Sequence, residues 1–200
     1  MESKEKEMAR LKEKFLNFYK KDSLYQKGTQ PVFGEGHPDA KIILIGEAPG
    51  HHESLTGHPF CGTAGKILDE LLESIGIKRK DIYITNLIKL RPPNNREPRV
   101  EEIRSHGPYL EKQIEIIKPK VICPLGNYST QYIFKEYGLS NIVQGISKIH
   151  GKIFSTKTHF NSFKIVPLYH PAVAVYNPKM KEVLKKDFRI LQKINAECSR

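Results

Sequence analysis

Residues 41–53 read Lys-Ile-Ile-Leu-Ile-Gly-Glu-Ala-Pro-Gly-His-His-Glu, and this stretch decides the fold. Four consecutive aliphatic residues, Ile42 to Ile45, stop at a glycine. A short unbroken apolar run bounded by turn residues suits a strand buried on both faces, as in a parallel sheet. Gly46 and Gly50 bracket Pro49, which predicts a tight turn with close backbone approach. The turn is neither a P-loop, which needs GxxxxGK[ST], nor a dinucleotide fingerprint, which needs GxGxxG.

Working outward, the same pattern returns. Ile82 to Leu87 and Val121 to Leu125 predict two more buried strands, the latter ending at Gly126. Ile153-Phe154 and Lys164 to Leu168 predict strands joined by a polar excursion, closed by His170-Pro171. Between them the periodicity turns helical. Met8, Leu11, Phe15 and Phe18 place an amphipathic helix over 3–20. Further helices are expected over 64–75, with Gly76 as its stop, over about 100–117, with Pro119 just beyond, and over 128–137 and 179–196. Alternating strands and helices predict an α/β fold. We expect a single three-layer α/β/α domain over 1–200, with a short, mainly parallel central sheet and residues 1–22 as an N-terminal amphipathic helix. Ligands of such sheets bind beyond the carboxyl ends of the strands. That rule selects Glu47 to Glu53, Asn86, Gly126-Asn127 and His170.

Composition restricts the function classes. The 200 residues carry 33 Lys and Arg against 22 Asp and Glu, a net charge of +11. Eleven of the basic residues but three of the acidic ones lie between Lys148 and Arg200. A basic face of this kind suits a polyanion, most often nucleic acid. The alternative is a lysine-rich surface that serves solubility. The longest apolar run is far short of the roughly 20 residues of a membrane span, and the Met-Glu-Ser-Lys-Glu start has no apolar signal core. A cytoplasmic protein is expected, nucleoid-associated in a prokaryote. Cys61, Cys123 and Cys198, with no CxxC, argue against a disulfide framework and a cysteine-rich metal site.

Several residues at the strand ends can carry chemistry. Glu47 and Glu53 leave the first strand, where they are either functional or ordinary solvated carboxylates. Phe60, in the Gly-rich loop before a helix, is either a stacking platform for a base or a core plug. Asn86 offers one acceptor and two donors, which suits a base edge, or it caps the following loop. His170 is placed to act on a developing anion, or it is a surface histidine. Together they match what a flipped base requires: a flat partner, an edge reader and charge stabilisation. Breaking an N-glycosidic bond develops positive charge on the sugar and negative charge on the base, and a carboxylate and a histidine suit these two charges.

The motifs also carry a resemblance. Gly46-Glu47-Ala48-Pro49-Gly50-x-x-Glu53, Thr56-Gly57-x-Pro59-Phe60-x-Gly62-x-Ala64-Gly65, Tyr83 to Arg96, Pro124-Leu125-Gly126 and His170-Pro171-Ala172 resemble, in order, the family 4 uracil-DNA glycosylases. The resemblance covers about Leu24 to Leu191. It implies an enzyme of base excision repair that removes uracil from single- or double-stranded DNA as a monomer. Carried over, Glu47 positions water or stabilises the sugar cation, and His170 stabilises the uracil anion. Ala48, Glu53, Phe60 and Asn86 bind the base, with Glu53 helping to exclude the thymine methyl. Lys89, Arg91, Asn127, Pro171, Ala172, Val173 and Tyr176 face DNA, and Ala172 to Tyr176 form the loop that presses into the gap. Many members are bulkier at the tip of that loop, which here reads Val173-Ala174-Val175. The family typically holds a four-cysteine iron–sulfur cluster, whose positions correspond here to Tyr19, Asp22, Leu90 and His106. One Asp and one His cannot replace four thiolates, so no cofactor is expected, and packing around Tyr19, Leu90 and Tyr109 is expected to fill the space. A mixed Asp22/His106 metal site would have too few ligands to close. The loop Arg91 to Arg96 lacks the histidine insertion of a related family that bonds the abasic sugar. The rival function is a non-catalytic uracil- or damaged-DNA-binding protein on the same scaffold. A third, another α/β hydrolytic or nucleotide-binding enzyme, is disfavoured by the missing P-loop, dinucleotide and GxSxG signatures.

Overall fold

The computed structural model describes residues 2–158 and 162–197; Cys198 lies outside them. In chain order the elements are α1 (Lys4–Phe18), β1 (Glu35–Gly36), β2 (Ile42–Gly46), α2 (His51–Thr56) and α3 (Thr63–Ser74). β3 (Tyr83–Asn86), α4 (Val100–Ile117), β4 (Val121–Pro124), α5 (Asn127–Glu136) and α6 (Ile146–Ile149) follow. β5 (Phe154–Lys157), β6 (Ser162–Ile165), α7 (Val173–Tyr176) and α8 (Met180–Glu197) complete the described chain. The strands form one six-stranded sheet in the order β1-β3-β2-β4-β6-β5. The four central strands are parallel, and β1 and β5 pair antiparallel at the two edges.

The apolar run of β2 explains the layering. Successive side chains of a strand point to opposite faces. Ile43 and Ile45 join Phe15, Leu110, Ile114, Ile133 and Phe134, the core under α1, α4 and α5. Ile42 and Leu44 join Leu68, Leu71, Leu184, Phe188 and Leu191, the core under α3 and α8. A polar residue at any of these four positions would face one core or the other.

α4 shows how local sequence sets an element. Glu102 accepts a hydrogen bond from the Arg99 amide (2.8 Å), satisfying an orphan donor of the first turn. It also receives Arg96 on both carboxylate oxygens, which pins the preceding loop to the helix start. At the far end Lys118 takes a left-handed conformation (φ 53°), and Pro119 prevents continuation.

The register brings the chemistry together. Gly46 pairs with Asn86 across β2 and β3. The pairing continues past the strand ends, with the Leu87 and Ile88 amides donating to the Gly46 and Glu47 carbonyls (2.9 and 3.0 Å). On the other side, Leu125 bridges Leu168 in parallel, and the Gly126 amide donates to the Leu168 carbonyl (2.8 Å). The carboxyl ends of β2, β3 and β4 are therefore level with the segment that carries His170. Among the described residues no helix is long and apolar enough to cross a membrane.

Candidate active site

Phe60 is the most constrained residue at these strand ends. Its φ is +50°, a left-handed conformation that a bulky residue rarely adopts. Such a conformation costs on the order of 1–3 kcal/mol and persists where the surroundings over-determine it. They do so here. The Glu53 carboxylate accepts from the Phe60 amide (3.1 Å) through one oxygen and from the Gly50 amide through the other. Arg79 donates to the Phe60 carbonyl (3.2 Å) and to the Pro59 carbonyl. Arg79 is itself anchored by two bonds to Glu35 (3.1 and 2.9 Å) and one to Asp69 (2.9 Å). A side chain at Gly65 would collide with the Phe60 carbonyl, so that glycine lets α3 start directly beneath the aromatic. Both Glu53 oxygens accept backbone amides, which holds the turn that carries Phe60.

The Phe60 ring lies 5.4 Å from the His170 ring, with 27° between the planes. His170 accepts the Ala172 amide at Nδ1 (3.2 Å). That bond requires an unprotonated Nδ1, which leaves the proton of a neutral ring on Nε2 as a donor. Burial pushes the His170 pKa down to about 4, so the ring is a neutral donor at pH 7. A Cβ at Gly46 would strike Asn86 Oδ1 and come within 3.0 Å of the Phe60 ring. The Asn86 amide and the Phe60 ring therefore meet above Gly46, and the His170 ring adjoins them through Phe60.

Glu47 follows Gly46 and is half-buried. Burial raises its pKa above the ordinary carboxylate value, and the neighbouring negative charge of Glu97 adds to the rise. Glu97 also raises the pKa of the Tyr128 hydroxyl, on the first turn of α5, to about 12. Ala48 packs at the margin of the α1/α4/α5 core. Glu97, Tyr128, Arg79 and Glu35 escaped sequence reasoning. For Arg79, its place in a polar turn gave no sign that it reaches back 19 residues to Phe60.

The residues expected on the DNA face divide. Tyr176 is 87% exposed at the end of α7, and Val175 beside it is 41% exposed. Ala172 and Val173 are half-buried, with Val173 packed on the α3/α8 core. Arg91 bonds Asn95 (2.7 Å) and His51 (3.2 Å) at the surface. Asn127 is exposed, its side-chain oxygen accepting the Ile146 amide (2.8 Å). Two of these positions are not exposed. Pro171 is buried and shapes the turn after His170. Lys89 is 0% exposed, and burial holds its pKa well below that of an ordinary lysine.

The pattern of the uracil DNA glycosylase superfamily matches residues 33–197. This chain belongs to that superfamily. It is 43% identical to the Type-4 uracil-DNA glycosylase of Sulfurisphaera tokodaii over 188 residues, 94% of this chain and 84% of that protein. It is 45% identical to the Saccharolobus solfataricus Type-4 enzyme over 84% of this chain and 78% of that one. The Archaeoglobus fulgidus Type-4 enzyme is 42% identical over 90% and 88%. DNA is the binding partner that membership of this superfamily implies.

The four positions that correspond to cluster cysteines do not fit an iron–sulfur cluster. His106 Nε2 stands 3.3 Å from Asp22 Oδ2, both side chains being buried. His106 Nδ1 accepts the Lys89 amide (3.1 Å), and Asp22 accepts the Leu24 amide (2.8 Å). Phe15 packs against the rings of His106 (5.5 Å) and Tyr109 (4.9 Å). Tyr19 meets Tyr25 edge-on (5.7 Å), and Leu90 is buried in the same core. His106 Nε2 approaches Asp22 without a hydrogen bond, and the remaining positions are filled by rings and a leucine.

Proposed function

We infer that this chain is a uracil-DNA glycosylase that starts base excision repair by hydrolysing the bond between uracil and deoxyribose. The observation that carries this reading is the meeting over Gly46 of a left-handed Phe60 and the Asn86 amide, with a neutral His170 beside Phe60. Phe60 stacks on the flipped base, and Asn86 pairs with its N–H and C=O edge. As the C1′–N1 bond breaks, its electron pair leaves with uracil, and the Nε2–H of His170 donates to the anion. Glu47 faces the cationic sugar and orients the water whose oxygen bonds C1′. The water proton ends on the departing base, leaving an abasic site. The reaction consumes water alone.

Tyr176, at the end of Ala172 to Tyr176, enters the gap left by the base, and Arg91 and the basic helix α8 grip phosphates. Flipping costs a few kcal/mol, least for single strands and mismatches, so single-stranded uracil and U·G pairs are good substrates. The protein works as a monomer, in the cytoplasm, on chromosomal DNA.

The test is a strand-cleavage assay on an oligonucleotide with one uracil, using substoichiometric protein followed by alkali. Multiple turnovers on U·G, with none on T·A or T·G, are expected. A retained gel shift without cleavage would overturn the enzyme reading in favour of a damaged-DNA-binding protein.

A further inference from the structure

Lys89 has a place in the fold that a solvent-facing lysine could not hold. Its Nζ lies 2.8 Å from Thr85 Oγ1, 2.7 Å from the Asn86 carbonyl and 2.7 Å from Gln113 Oε1. It also sits 5.7 Å from the centre of the Phe33 ring. A lysine nitrogen removed from water is tolerated when its N–H groups are bonded. Three oxygen acceptors around one nitrogen match the three donors of an ammonium group. Two of those acceptors belong to the last two residues of β3, and the third belongs to α4.

The helix holds the other end of the same residue. His106 takes the Lys89 amide, and Gln113, seven residues later and so on the same face of α4, takes its Nζ. The Gln113 amide nitrogen donates to the Phe33 carbonyl (2.8 Å) and to the Tyr83 hydroxyl (3.1 Å). Thr85 Oγ1 donates to the same Phe33 carbonyl (2.9 Å). A buried polar network thus ties α4, the segment before β1 and the end of β3 to the backbone that carries Asn86.

We propose that Lys89 is a positioning residue of the uracil pocket, clamping the Thr85–Asn86 strand end so that the Asn86 amide stays fixed over Gly46 beside Phe60. This rests on Asn86 reading the base. The nearest rival role for a lysine in a basic motif is a phosphate contact, and the two roles differ in what they change. A clamp governs the bound base and the chemical step; a phosphate contact governs DNA affinity and its salt dependence.

The experiment compares the full-length protein with Lys89→Met and Thr85→Val. Three quantities are measured: single-turnover excision at saturating protein, the Kd of free uracil by NMR titration, and the Kd of uracil-free duplex over a salt series. Lys89→Met is expected to slow excision about 30-fold or more, on the order of what a misplacement below 1 Å produces. It should weaken free uracil about tenfold on the same ground and leave duplex affinity and its salt slope unchanged. Thr85→Val, which removes one Lys89 partner, should give a smaller loss in the same two quantities. The double variant should be no worse than Lys89→Met alone, as for residues of one network.

Unchanged excision and uracil affinity in folded Lys89→Met would overturn the proposal, as would a loss confined to duplex affinity. If Lys89→Met does not fold, Thr85→Val decides: wild-type excision and uracil affinity in that variant would overturn the clamp. Lack of excision by the wild type would refute the glycosylase reading instead, and the uracil titration would still report on the clamp.

Discussion

Gly46→Ala is the sharpest probe of the pocket, because the perturbation is one methyl group whose destination is known. Gly46 does not have a positive φ, so alanine brings no backbone strain. The methyl carbon would lie 3.0 Å from two carbons of the Phe60 ring and closer still to Asn86 Oδ1. Carbon atoms settle at about 3.5–4.0 Å, and carbon against oxygen at about 3.3–3.6 Å. Phe60 must therefore retreat by about 0.5 Å and Asn86 by about 1 Å. Both backbones are held, Phe60 by Glu53 and Arg79 and Asn86 by Lys89, so the adjustment falls on the two side chains. Overpacking of this kind costs about 1–3 kcal/mol of stability, which leaves a folded protein. A 1 Å displacement of a positioning group costs about 100-fold in rate. Single-turnover excision from a one-uracil oligonucleotide should fall by about that factor, with the Kd of uracil-free DNA unchanged. A rate within threefold of wild type, with the fold intact, would refute the claim that Asn86 and Phe60 above Gly46 form the base site.

Three further outcomes follow from the same geometry. Glu47 must be ionised, and its pKa is raised by burial and then by Glu97, so kcat/KM should fall with decreasing pH at a midpoint above 4.5. Glu97→Gln should move that midpoint to lower pH in a pH–rate profile, and an unmoved midpoint would remove Glu97 from the account. Tyr176→Ala should leave the Tm unchanged, since the side chain is 87% exposed, and should slow excision from duplex about tenfold while sparing single strands, as loss of one stacking contact would. Asp22→Ala should cost about 2 kcal/mol by leaving the Leu24 amide and the Ser105 hydroxyl without their acceptor, or about 4–8 °C in Tm by calorimetry. Although burial raises the Asp22 pKa, His106, the Leu24 amide and Ser105 bring it below 3.8. Its contribution is therefore full above pH 3.8 and lost as pH falls through the lowered value, so the Asp22→Ala deficit should vanish in strong acid.

The sheet was legible because its strands are short apolar runs with glycine or polar ends, and α4 because Arg99 to Pro119 carries both a start and a stop. The edge strand Glu35–Gly36 was not legible. Two residues held by backbone pairing leave no side-chain period. Nor was α2, whose His51-His52-Glu53 start shows no apolar face. At the site, the rule for ligand sites in α/β sheets, which depends on topology alone, selected Asn86 and His170, and Phe60 was read from its place in a Gly-rich loop before a helix. That rule did not separate residues that face a ligand from residues that hold others in place. Glu53 is absorbed by two amides and Lys89 by three oxygens, one of them from a residue 24 positions away. Charge in a motif next to Arg91-Pro92-Pro93 reads as DNA contact until the fold shows which way the side chain turns.

The pairing of Asp22 with His106 also bears on how the protein is made and where it survives. A cross-link of two side chains arrives with translation and needs neither iron nor a sulfur donor to be completed. Tyr19, Asp22, Leu90 and His106 present no thiolate, so peroxide or molecular oxygen has no sulfur ligand to strip at that place. Under iron starvation or an oxidative burst, this contact between the N-terminal segment and α4 would stay intact.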